Sequence, residues 1–183
     1  MALDVAPAVE RWDLLAEPVI AAVRGWSVPG VPVGELLAAE IDPAVADTAE
    51  FCERYGMPLS TSANCVVIAG KRGGDVRYAA CVVLATTRAD VNNRARRRLE
   101  ARKASFAPMT DAVRETGMEY GGITPIGLPA DWPILIDPAV LDAGRVVVGS
   151  GLRRSKLLVP GKALAGLPGA EVIDGLGVPV STE

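Results

Sequence analysis

No histidine occurs anywhere in the 183 residues. That one absence excludes Ser–His–Asp and Cys–His catalysis, HExxH zinc sites and the His/Cys zinc arrangement of nucleobase deaminases. Cysteine is scarce too: Cys52, Cys65 and Cys81 form no C-x-x-C pair, so no metal site is expected. An odd number of thiols points to a reducing compartment rather than a disulfide framework. Aromatic residues make up only 4% of the chain, which leaves Val, Leu, Ile and Ala to build the core. No apolar run approaches the ~20 residues of a membrane span. The opening Met-Ala-Leu-Asp-Val-Ala-Pro lacks the basic start and apolar centre of a signal peptide. A cytoplasmic protein without membrane contact is therefore expected. Nucleotide-cofactor motifs are missing as well. Gly149-Ser150-Gly151-Leu152-Arg153-Arg154 opens like G-x-G-x-x-G but ends in arginine with no clear helix behind it, and no G-x-x-x-x-G-K-[ST] exists. No cofactor is expected, and chemistry falls to carboxylates, hydroxyls, lysine, backbone amides or the substrate itself.

What is present is a chain that is 50% hydrophobic, long enough for one domain that buries roughly 70% of its unfolded surface. A single domain over residues 1–183 is expected, with 1–40 as an N-terminal decoration and 41–175 as the core. The net charge of −3 conceals a strong asymmetry. Residues 1–53 hold ten acidic and two basic groups, whereas residues 64–103 hold ten basic and three acidic ones. Such a local excess of positive charge admits a polyanionic partner that the total would not suggest.

Residues 10–40 mix apolar runs with Pro and Gly and read as one or two edge strands or a short helix. Asp42-Pro43 reads as a helix start and Gly56 as its end. Ala63–Ala69 and Val76–Ala85 are β-rich runs around Gly70–Asp75, a hairpin pattern. Thr87–Asp90 fits a capping box for a helix whose Val91, Ala95 and Leu99 face the core. Arg94, Arg98 and Arg102 share another face of that helix, joined by Arg96, Arg97 and Lys103. Thr110–Thr116 predicts a two-turn helix ending at Gly117. Ile134–Ile136, Val146–Val148 and Lys156–Val159 predict further strands. Together these give an α+β fold with a mixed, largely antiparallel sheet, partly barrel-like, and peripheral helices.

One stretch stands out chemically. Glu119 to Gly127 reads Glu-Tyr-Gly-Gly-Ile-Thr-Pro-Ile-Gly, too rich in glycine and proline for helix or central strand. A rigid loop with bare N–H groups beside a threonine hydroxyl suits a carbonyl or an oxyanion. The alternative is an ordinary surface turn. The arginine run likewise has two readings, a solvated helix face or a contact for phosphates that relieves the repulsion of like charges at i, i+4.

The order of these segments resembles the YbaK/EbsC family, the prolyl-tRNA-synthetase-associated editing domain. The similarity rests on Lys103-Ala104-Ser105-Phe106-Ala107, Thr116-Gly117, the Gly-Gly-x-x-Pro-x-Gly loop from Gly121, the Ile136-Asp137 strand end and the turn at Gly149–Gly151. It runs from about Thr48 to Leu167. The resemblance implies a free-standing aminoacyl-tRNA deacylase that hydrolyses the ester of mischarged tRNA without a metal, assisted by a ribose hydroxyl or amino group of the substrate. It implies Gly121 and Gly122 as oxyanion donors, with Ile123, Thr124, Pro125, Gly149, Gly151 and Asp137 around the substrate. Arg94, Arg97, Arg98, Arg102 and Lys103 would hold tRNA, and a synthetase is a second expected partner. At Asn64 the chain departs from the family, whose members usually carry lysine at this strand start. Either Asn64 fills a neutral version of the role, or Lys71 or Lys103 supplies the cation, or hydrolysis has been lost and the chain is a tRNA- or nucleotide-binding protein. A small-molecule esterase is a weaker third reading, since no nucleophile–base pair is evident.

Overall fold

The computed structural model describes residues 3–180. In chain order the elements are β1 (Val5–Pro7), α1 (Glu17–Arg24), β2 (Leu37–Glu40), α2 (Thr48–Tyr55), β3 (Ala63–Arg72), β4 (Asp75–Leu84) and β5 (Thr87–Ala89). There follow α3 (Arg96–Arg98), β6 (Lys103–Phe106), α4 (Met109–Thr116), β7 (Ile134–Ile136), α5 (Pro138–Asp142), β8 (Arg145–Gly149), β9 (Ser155–Pro160), β10 (Ala170–Val172) and β11 (Gly177–Pro179).

The strands form a four-stranded sheet ordered β1-β2-β9-β8, a five-stranded sheet ordered β10-β7-β4-β3-β6, and the pair β11-β5. Pairing is antiparallel except where β7 lies parallel to β4 and β10. The expected α+β class with a mixed, largely antiparallel sheet is what forms, but these sheets do not close into a barrel.

Period-2 burial explains the stacking. Val146, Val148, Leu157 and Val159 of the four-stranded sheet meet Val82, Ile134 and Ile136 of the five-stranded one in the main core. The alternate residues Val147 and Leu158 point the other way, under Phe51 and Cys52 of α2. On the outer face of the five-stranded sheet, Ile68, Ala79, Cys81, Val83 and Leu135 are covered by Ala95, Leu99 and Leu176. Residues 3–40 take part in this packing: β2 is an interior strand, and Leu14, Val19, Leu36 and Ala38 are buried in the main core.

Local signals mostly act at the positions where the sequence carries them. The β3–β4 hairpin turns on Gly73 and Gly74, with φ of 58° and 93°, as a two-residue primed turn requires. α2 and α4 end at Gly56 and Gly117, both left-handed. Asp42 does cap the turn after it, accepting from Ala44 N–H at 2.9 Å, though that turn is a separate short 3-10 segment and α2 begins only at Thr48. The expected helix from Thr87 is corrected. Thr87–Ala89 is strand β5, paired with β11 at the far end of the chain. Only Asp90 acts as a cap, accepting from Asn93 N–H at 3.1 Å. A π-helical turn over Val91–Ala95 leads into the three-residue α3.

Candidate active site

A cleft of about 290 Å³ opens where the two large sheets meet. A parallel bridge between Ser62, just before β3, and Val147 of β8 joins the two sheets there. The start of β3, the end of β8, the N-terminal part of α2, the β6–α4 junction and the loop after α4 make its walls. Its lip carries Phe106 and Tyr120, 64% and 53% exposed. Its inner end is lined by Phe51, Ser62 and Lys156, each buried.

The glycine-rich loop is held to the turn after β8 by main-chain bonds. Glu119 N–H donates to Gly151 O at 2.8 Å, and Gly151 N–H donates to Gly122 O at 2.7 Å. The fit demands bare backbone: a Cβ on Gly122 would lie 2.6 Å from the Leu152 carbonyl carbon, and one on Gly149 would lie 2.3 Å from Gly122 O. This loop therefore has a defined place in the fold and is not a free surface turn.

Of the expected loop residues, Gly121 and Ile123 line the cleft together with Gly149 and Asn64. Gly121 N–H makes no hydrogen bond among the described residues. Gly122 differs from expectation, because its N–H is already spent on Glu119 O at 2.9 Å. Thr124 and Pro125 lie buried behind the wall, outside the cleft lining, with Thr124 Oγ1 lacking a hydrogen-bond partner among the described residues. Gly151, at φ 86°, packs beneath Ala16 of the N-terminal segment. Asp137 caps α5 through Ala139 N–H at 3.0 Å and accepts from Gly177 N–H at 2.6 Å. These bonds make it a clamp between α5 and the chain's end, away from the cleft.

Asn64 Oδ1 accepts from Thr48 Oγ1 at 2.6 Å, leaving its NH2 without a protein partner among the described residues. Cys65 also lines the cleft, but burial pushes its thiol well above the ordinary range, so it is no ready thiolate.

Lys71 and Lys103 face each other across the β3–β6 pair, seven residues along β3 from Asn64, about 24 Å at strand rise. Neither reaches the cleft. Lys156 does. It sits on β9 opposite Gly149, 7% exposed, with Nζ donating to Ala46 O at 2.8 Å and lying 5.5 Å above the Phe51 ring. Removal from water holds its ammonium below the usual lysine range, partly offset by the nearby Asp47 carboxylate. Sequence reading missed Lys156 because a lysine in a strand ordinarily reads as solvent-facing. The available signal was its position at the head of an otherwise apolar run.

The arginine-rich segment divides. Arg98 is tied to Glu171 in a bidentate pair, Arg96 Nε donates to Asn92 O at 2.7 Å, and Arg94 lies against Gly175. Lys71, Arg72, Arg97, Arg102 and Lys103 flank grooves at the hairpin end of β3, a mainly basic surface that Asp75 and Glu100 interrupt. Among the described residues no three His, Cys, Asp or Glu side chains gather as metal ligands, and no helix is long and apolar enough to cross a membrane.

Comparison with known proteins bears on this site. The aminoacyl-tRNA editing domain matches residues 42–167. Three solved structures share the fold. One, described as the crystal structure of a proposed trans-editing enzyme for prolyl-tRNA synthetase, is 22% identical with a TM-score of 0.69, over 87% of this chain and 97% of that one. A scaffold used for computational epitope grafting is 23% identical with a TM-score of 0.71, over 87% and 95%. The hypothetical protein APE2540 is 19% identical with a TM-score of 0.70, over 93% and 99%. With the domain match spanning well over half its length and covering α2, the glycine loop and Lys156, the chain belongs to the aminoacyl-tRNA editing domain family.

Proposed function

We propose that the protein is a trans-editing deacylase that hydrolyses the ester of mischarged tRNA after a synthetase has released it. One observation carries this reading: in a chain of the editing family, a cleft with an aromatic lip and a closed inner end presents the unpaired Gly121 N–H on its wall. Exposed Phe106 and Tyr120 suit stacking of unpaired bases at a tRNA 3′ end. The basic surface of Lys71, Arg97, Arg102 and Lys103 suits the phosphates behind them.

Gly121 N–H donates to the ester carbonyl as it becomes an oxyanion, and the free Asn64 NH2, which lines the same cleft, is a second donor. Water attacks that carbonyl, the ester C–O bond breaks, and the proton lost by water ends on the ribose oxygen. An adjacent ribose hydroxyl or the substrate's amino group relays it, since no cleft residue is a histidine base. An activated ester needs little beyond this, and editing is warranted because binding discriminates weakly between amino acids of similar size.

Purified protein incubated with a panel of mischarged tRNAs tests the reading. Accelerated release of at least one amino acid is expected, and no release above the spontaneous rate for any pair overturns it. The neutral Asn64 supports a second reading, a tRNA-binding protein without hydrolysis, which predicts no release in that assay but salt-dependent binding of the same tRNAs in a filter-binding titration.

A further inference from the structure

Lys156 is a buried cation that forms no ion pair among the described residues. Its Nζ spends one of three donors on Ala46 O. No carboxylate lies within 4.0 Å of it among the described residues, because the nearest acidic group, Asp47, is exposed and directed to Arg153 Nη1 at 3.7 Å. The remaining surroundings offer little compensation: the Phe51 ring face, and Cys52 Sγ already in contact with Ser62 Oγ at 3.2 Å. A charge so enclosed is costly unless something pairs with it. Yet the side chain is not sealed in the core; it lines the inner end of the cleft.

We propose that Lys156 determines which acyl group the cleft accepts, by donating to an oxygen at the end of the substrate's side chain. This rests on the deacylase reading above and extends it to a substrate class. An ammonium carries donors only, so whatever reaches it must be an acceptor. The α-ammonium of an aminoacyl ester is thereby turned away from this end. With the nucleotide at the aromatic lip and the ester beside Gly121, the part of the substrate that reaches the inner end is the amino-acid side chain. A side chain ending in a hydroxyl, carboxamide or carboxylate pairs with Nζ. An aliphatic isostere leaves the donors unmatched at the inner end of the cleft. A site built around such a donor discriminates against the analogue that lacks the acceptor far better than an apolar pocket discriminates by size. Carboxylates and neutral oxygens share this chemistry, and the carboxylate is favoured to the extent that Nζ stays charged.

The test compares matched pairs on one tRNA: seryl against alanyl, threonyl against valyl, and aspartyl as the anionic arm. The wild-type protein should favour the oxygen-bearing partner by tenfold or more in kcat/KM. In Lys156→Met, whose side chain is of similar length, the ratio should collapse toward one, with thermal unfolding showing that the fold is intact. Lys156→Arg, which keeps donors and charge, should retain a preference. No preference in the wild type for the seryl, threonyl or aspartyl ester over the alanyl and valyl esters, or an unchanged preference in Lys156→Met, overturns the proposal. Should no ester be hydrolysed, the deacylase reading fails, and the Lys156 assignment is still decided by calorimetry with non-hydrolysable 3′-amide analogues of seryl- and alanyl-adenosine. Tighter binding of the seryl analogue that disappears in Lys156→Met supports it; equal affinities, or no binding of either, overturn it.

Discussion

Replacing Lys156 by methionine should make the free protein more stable, although the residue lies in the site. The lysine gives up hydration and recovers one charge-assisted bond to Ala46 O, worth roughly 1.5–3 kcal/mol, against a desolvation penalty of several kcal/mol for an enclosed ion. Methionine loses the ammonium's approach to the Phe51 ring but fills a similar volume and carries no charge to desolvate. A net gain of about 1–2 kcal/mol at neutral pH is expected, raising Tm by about 2–8 °C for a domain of this size. The pH dependence has a definite sign. Lys156 has a folded-state pKa below its ordinary value of 10.5, so the folded state holds that proton less well than the unfolded chain. The group destabilises the fold most below its folded pKa, and the penalty fades as pH rises from there toward 10.5. Urea unfolding at pH 7 and pH 9.5 should therefore show wild-type stability gaining on Lys156→Met as pH rises. A variant less stable than wild type at both pH values, with parallel pH slopes, would refute the claim that this ammonium is buried at a cost.

Gly149→Ala should destabilise by about 1–3 kcal/mol, since its Cβ would fall 2.3 Å from Gly122 O and 2.6 Å from Ile123 O; deacylation should drop with it, and urea titration plus single-turnover rates check both. Asp137→Ala should cost about 2–3 kcal/mol by leaving two main-chain N–H groups unpaired yet leave kcat/KM near wild type, separating a structural clamp from a substrate-binding group. Replacing Arg97, Arg102 and Lys103 together should flatten the salt slope of tRNA binding by roughly 0.7 for each phosphate no longer neutralised. Arg98→Ala, whose guanidinium is occupied by Glu171, should barely move that slope in the same filter-binding titration.

What could be read from the chain was set locally. Gly73-Gly74 fixes the β3–β4 hairpin within a few residues, and Gly56 and Gly117 end their helices by a conformation other residues avoid. The glycine loop was conspicuous for the same reason: its composition is unusable elsewhere. What escaped depended on distant partners. Thr87–Ala89 has the letters of a helix start, but β11, some 90 residues on, recruits it as a strand, and tertiary pairing overrides a capping pattern that only Asp90 fulfils. Gly122 looked like a free donor because nothing in the neighbouring letters shows that Glu119 O takes its hydrogen. Lys156 depends on Ala46, 110 residues away, and its burial follows from α2 lying over that face of β9.

The lacing of the glycine loop to the turn after β8 has a consequence for how such a site can change. Both partners hold each other through peptide groups, so the wall keeps its shape whichever side chains it displays. Ile123, which the loop displays to the cleft, can be exchanged to admit a different amino acid without rebuilding the wall, whereas a side chain at Gly122 or Gly149 strains the wall itself. Diversification is thus steered toward what the cleft recognises and away from how it is built.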